Sequence, residues 1–195
     1  MTTITRVYDS YGQAEKAVAK LKQAGIPDAD ISVVANRAIS DQYATGKDTH
    51  ATSSGAGMGA AIGGGAGLLA GLGLLAIPGL GPVVAVGWLL ATAVGAAGGA
   101  LAGGIIGALV DAGVPEQDAH VYSETVRRGG TLLTVRTTSS NEAAAQAALD
   151  GYLPVDITAR RREYESEGWK SFDPNAPEYT LTEAQREAAR RRNVL

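Results

Sequence analysis

Gly71-Leu-Gly-Leu-Leu-Ala-Ile77-Pro78-Gly79-Leu80-Gly81-Pro82-Val-Val-Ala-Val-Gly87 is the stretch on which the reading of this chain turns. Small residues recur at every fourth position on both sides of it. Gly55, Gly59, Gly63, Gly67 and Gly71 form one ladder, and Gly87, Ala91, Gly95, Gly99, Gly103 and Gly107 form the other. Residues four apart share one face of a helix, so each ladder is a strip of bare backbone that a second helix can approach closely. The ladders mirror each other about Gly79. Folding back there sets Gly71 near Gly87, Gly67 near Ala91, Gly63 near Gly95, Gly59 near Gly99 and Gly55 near Gly103. The pattern predicts an antiparallel glycine-zipper helical hairpin over 55–110, turning at 78–82.

No formal charge falls between His50 and Asp111. Glycine costs a helix in water roughly 1 kcal/mol per residue against alanine, and 55–77 holds nine glycines. Such a helix needs lipid, where an unpaired peptide group is too expensive to leave, or burial within protein. Arms of about 24 residues reach roughly 36 Å, enough to span a bilayer core. Length and lack of charge favour a membrane-inserted hairpin with lipid as partner. The abundance of Gly and Ala, Trp88 as the sole aromatic of the run and the absence of a flanking Lys/Arg cluster favour a soluble assembly. Both readings make the chain a homo-oligomer.

The chain has 195 residues, a net charge of −3 and no cysteine. The charge offers no basic field for nucleic acid, and the missing thiols exclude disulfides and cysteine nucleophiles. Met1-Thr-Thr-Ile-Thr-Arg-Val-Tyr8 lacks the basic and apolar regions of a signal peptide. The soluble parts are therefore expected on the cytoplasmic side, with only 78–82 crossing if the hairpin inserts.

Outward from the ladders the pattern is α/β. Residues 3–8 alternate as a strand, and 12–24 place Ala14, Ala17, Val18, Leu21 and Ala24 on one helix face. Gly25 and Pro27 stop that helix, and 30–36 read as a second strand. Beyond the ladders a helix opens at Pro115, with Glu116 and Asp118 in its first turn and Arg127 and Arg128 in its last. A strand at 131–137, a helix at 141–150 and a last strand at 155–162 complete the series. The two β-α-β units predict an α+β, ferredoxin-like β-α-β-β-α-β domain interrupted by the apolar hairpin. The expected divisions are 1–38 (first half), 39–54 (polar linker), 55–110 (hairpin), 111–165 (helix and second half) and 166–195 (aromatic arm and a short helix over 183–192). The units 3–36 and 131–162 are expected to form one domain on their own.

Two segments carry a family resemblance. Val7-Tyr-Asp-Ser10 with Ala24-Gly-Ile-Pro-Asp-Ala-Asp-Ile-Ser-Val-Val34 is the first, and Ala112-Gly-Val-Pro-Glu through Arg127-Arg-Gly-Gly-Thr-Leu-Leu-Thr-Val-Arg136 is the second. Together they resemble the bacterial heat-induced general stress protein family (17M-like domain). The resemblance implies a stress-linked, non-catalytic protein with a glycine-rich insert, and brings no catalytic residues with it.

The chemistry of the remaining residues agrees. Gly-x-Gly-x-x-Ala strings at Gly55, Gly65 and Gly71 lack the acidic partner a dinucleotide fold places about twenty residues later. His50 sits in a polar linker and His120 on a short helix, with no set of four ligands for a metal. No cofactor or small-molecule substrate is indicated. Arg160-Arg161-Arg162 reads as an exposed strand edge with Arg160 and Arg162 on one face, and Arg190-Arg191-Arg192 as the end of a surface helix. Trp169, Phe172 and Tyr179 lie along a proline-containing arm and suggest docking, in cis or on another subunit. The sequence supports a non-catalytic stress-associated scaffold or interaction protein. The alternatives are a membrane-active, pore-like oligomer packed through Gly64, Gly98 and Gly104, and a small-ligand sensor on the sheet.

Overall fold

The computed structural model describes residues 1–36, 73–77, 80–89, 100–177, 179, 180 and 182. Its elements are β1 (Thr2–Tyr8), α1 (Tyr11–Gln23), β2 (Ile31–Asn36), β3 (Gly73–Ile77), β4 (Gly81–Val86), α2 (Ala100–Asp111), α3 (Glu116–Arg127), β5 (Thr131–Thr137), α4 (Glu142–Asp150) and α5 (Ile157–Ser166). The strands form one antiparallel sheet in the order β1-β5-β2-β4-β3.

Both faces of this sheet are covered, and strand alternation decides which residue faces which layer. Ile4 and Tyr8 of β1, Ile31 of β2, and Leu133 and Val135 of β5 pack with Ala14, Ala17, Val18 and Leu21 of α1 and with Ala145, Ala148 and Leu149 of α4. The intervening positions Val7, Val34 and Leu132 pack on the other face with Ile105, Ala108 and Leu109 of α2 and with Ala119 and Val126 of α3. A sheet buried on both sides needs nearly continuous burial along its interior strands, and β5 has it, with only Arg136 partly exposed.

α1 begins at a capping box: Ser10 Oγ accepts from the Gln13 amide and Gln13 Oε1 accepts from the Ser10 amide. It ends at Gly25, in the left-handed region at φ 81°. β1, α1, β2, α3, β5 and α4 fall within a residue or two of their sequence-based positions.

Three expectations are corrected. Residues 73–77 and 81–86, read as the inner ends of two helical arms, are a β-hairpin that extends the sheet beside β2. A spacing of four is an even number, so it keeps glycines on one face of a strand as well as of a helix. The Val83-Val84-Ala85-Val86 run favours the strand. Gly87 is not a helical rung: it closes β4 at φ 100°, where a Cβ would lie 2.2 Å from the Ile31 carbonyl oxygen. Gly103 and Gly107 do lie in α2, but Gly104 between them departs from helical geometry at φ 46° and ψ −144°. Gly55, Gly59, Gly63, Gly67, Gly71, Ala91, Gly95 and Gly99 lie outside the described residues.

The strand expected at 155–162 is the helix α5. Asp156 caps it, its Oδ1 accepting from the amides of Thr158 and Ala159 at 2.9 and 3.0 Å. Only the helical spacing lets Arg160 reach Tyr164 one turn on and Asp9 at the end of β1. Among the described residues no further strand lies beside β1, so the ferredoxin-like order is not completed there.

The third correction concerns the membrane. α2 has twelve residues, or about 18 Å of helix. Among the described residues no helix is long and apolar enough to cross a membrane. Trp88, read as the lone aromatic of an apolar run, packs against the sheet instead: its Nε1 donates to the Asp30 carbonyl, and the Arg136 guanidinium lies 4.7 Å from its ring.

Candidate interaction site

A cluster of charged side chains and aromatic rings lies where the end of α3 meets α5 and the arm that follows it. Glu124 is buried in the last turn of α3, with only 1% of its side chain exposed. Burial alone would raise its carboxyl pKa. Hydrogen bonds and charge from Arg127 and Arg128 outweigh that and hold it below the ordinary carboxylate range. Arg127 donates from Nε at 2.8 Å and from a terminal nitrogen at 2.6 Å, and Arg128 donates from Nε at 2.6 Å. Offsets of three and four put all three side chains on one helix face.

α5 closes over this group. Burial disfavours the Arg128 cation, but hydrogen bonds to Glu167 and Glu124 more than restore it, and its pKa lies above the usual arginine range. The same guanidinium lies 4.1 Å from the Tyr164 ring. Tyr164 donates to Thr125 Oγ1 at 3.1 Å, and burial raises its phenol pKa. Arg160 bridges to Asp9 at 2.7 Å, and Arg161 pairs with Asp118. α5 is thus stapled by ion pairs to the end of β1 and the start of α3.

The arm then turns back. Gly168 leaves α5 at φ 89°, and the Trp169 amide donates to the Tyr164 carbonyl at 3.0 Å. The Trp169 ring meets Tyr164 edge-on at 5.6 Å. Phe172 inserts into the core between sheet and helices, 6% exposed. Arg127 donates to the Pro177 carbonyl at 3.4 Å, and both Arg127 and Arg128 lie 5.2 Å from the Tyr179 ring. The three aromatics singled out in the sequence lie in cis along one groove of α3 and α5. The Glu124–Arg127–Arg128 triad that receives them was readable from its helical spacing, whereas the Asp9–Arg160 pair spans 151 positions and left no local trace.

The cationic and anionic groups here are paired with one another, so the arrangement suits clamping a peptide segment rather than moving a proton. His120 is half-buried in α3, and its Nδ1 has no partner among the described residues. His50, Gly64, Gly98 and Arg190-Arg191-Arg192 lie outside those residues. Among the described residues no group of three metal-ligating side chains converges.

These features define a mixed α/β protein with an antiparallel sheet between helical layers and a C-terminal arm clasped by an arginine pair. Residues 3–78 match the family model described as the heat induced stress protein YflT domain. The match covers β1, α1, β2 and β3. No curated protein and no solved structure matches.

Proposed function

We propose that the protein is a non-catalytic, stress-associated interaction protein that works by self-association through the uncharged stretch between His50 and Asp111. One observation carries this reading. β3, Gly73-Leu-Leu-Ala-Ile77, is the outermost strand of the described sheet and holds no charged residue and no proline. Protein edges are ordinarily protected by charge, proline or a bulge, and an apolar edge without them is a template for pairing with another chain. Pairing of two copies of one strand is two-fold symmetric and needs no second kind of surface.

A lysine in place of Leu74, registered with Val84 rather than with buried Val83, tests the reading. Sedimentation velocity is expected to give a higher-order species for the parent chain and the monomer for Leu74→Lys. Equal sedimentation of the two would remove β3 as the assembling element. A second reading, attachment to lipid, rests on the same lack of charge from His50 to Asp111. Co-sedimentation with phospholipid vesicles that resists a carbonate wash would favour it, and full release would favour the soluble assembly. The ligand-sensor alternative draws no support from the fold, since helices pack on both faces of the sheet.

A further inference from the structure

We infer that the C-terminal arm is an exchangeable clasp, and that the groove it fills on α3 and α5 also accepts the arm of a second copy of this chain. The inference adds a second contact to the proposed self-association and rests on that reading only for its setting. The groove's preferred occupant is already visible. Phe172 is buried in the apolar cluster that includes Val126 and Leu132, and Tyr179 lies against Arg127 and Arg128. A second copy brings the identical aromatic residues at the identical spacing, so every contact made in cis can be remade in trans.

Three features make the arm the part that lets go. It holds no helix or strand between Gly168 and Pro177, only a local turn in which the Ala176 amide donates to the Asp173 carbonyl. Its contacts concentrate at the aromatic anchors, while Lys170, Ser171, Asp173, Pro174 and Asn175 are exposed. It departs from α5 through Gly168, whose left-handed backbone glycine adopts and leaves at little cost. Segments with few buried contacts open at free energies well below that of global unfolding. Warming would therefore free the arm while the sheet stays closed, and at high chain concentration the vacated groove would be filled from a neighbour.

The test uses the full chain carrying Leu74→Lys, so that assembly through β3 is read separately. One sample keeps the arm, and a second, isotopically labelled sample adds Phe172→Ala and Tyr179→Ala. Each sample and their mixture are held just below the main unfolding transition, cooled and examined by native mass spectrometry. The arm-bearing chain is expected to form dimers. The double variant alone is expected to stay monomeric. The mixture is expected to yield heterodimers, in which the intact arm occupies the variant's empty groove. Absence of heterodimers, or dimers of the double variant as abundant as those of the parent, would overturn the inference. Neither result bears on whether Leu74→Lys alone had altered assembly. If circular dichroism shows that the double variant does not fold, Tyr179→Ala alone, which keeps the Phe172 anchor, replaces it. That variant must then lose most of its homodimer while still forming heterodimer with the arm-bearing chain.

Discussion

Replacing Glu124 by glutamine removes a charge and almost no volume, which isolates the electrostatics of the clasp. The carboxylate accepts three hydrogen bonds from Arg127 and Arg128, whose side chains are 13% and 15% exposed. Breaking a buried ion pair by removing one partner typically costs about 3–5 kcal/mol. Two features reduce that here: the amide oxygen of glutamine still accepts, and Arg128 keeps Glu167. A loss of about 2–3 kcal/mol follows, or about 5–10 °C in Tm for a chain of this size. The pH dependence supplies the sharper test. Glu124 has a native pKa below the ordinary carboxylate value of 4.5. Its contribution is therefore full above that value and is lost as pH falls through the native one. Urea melts of both chains at pH 7 and at successively lower pH values should show the difference greatest at neutral pH and shrinking below pH 4.5. A variant as stable as the parent at pH 7, or a difference that persists unchanged into acid, would refute the assignment of Glu124 as an ionised, stabilising group.

Gly87→Ala should destabilise the sheet by about 2–4 kcal/mol, because its Cβ would meet the Ile31 carbonyl oxygen at 2.2 Å and its φ of 100° disfavours any side chain; thermal melts followed by circular dichroism measure this. Asp156→Ala removes the cap of α5 and should cost about 1 kcal/mol, seen as a lower urea midpoint with no change in the spectrum of the folded state. Deleting 40–110 with a flexible joint should leave an unfolded chain by the same spectra. That deletion removes Leu80, Val83, Ala85, Leu89, Ile105, Ala108 and Leu109 from one of the two cores.

The last of these reverses the sequence-based expectation that 3–36 and 131–162 suffice on their own, and the reason lies in what a glycine ladder can say. Local periodicity located β1, α1, β2, α3, β5 and α4, because Val, Leu and Ala at spacings of two or of three to four distinguish strand from helix. Glycine at every fourth position satisfies both periods, so the ladder near Gly87 carried no information about which element it lay in. Ile157-Thr-Ala-Arg-Arg-Arg162 posed the opposite problem, since its weak alternation resembled a strand while the helix signal sat just upstream in Asp156. The aromatic residues of the candidate site were visible as Trp169, Phe172 and Tyr179. Of the surface that receives them, the Glu124–Arg127–Arg128 spacing on α3 was readable, but its junction with α5 was not, because that forms only when the chain has folded.

The place of β5 in the sheet has a consequence for the timing of biosynthesis. β1 and β2 do not touch as a ladder; each pairs with a different edge of β5, which begins 95 positions after β2 ends. At a translation rate of about 5–20 residues per second, roughly 5–20 s separate the emergence of β2 from that of the strand it needs. Until β5 emerges, β1 and β2 lack the strand that lies between them, and the uncharged run from 73 to 110 is synthesised within that interval. The stretch 3–78 that matches the family model therefore lacks β5: the ladder that joins β1 to β2 closes only when that strand arrives, after more than two thirds of the polypeptide has been made.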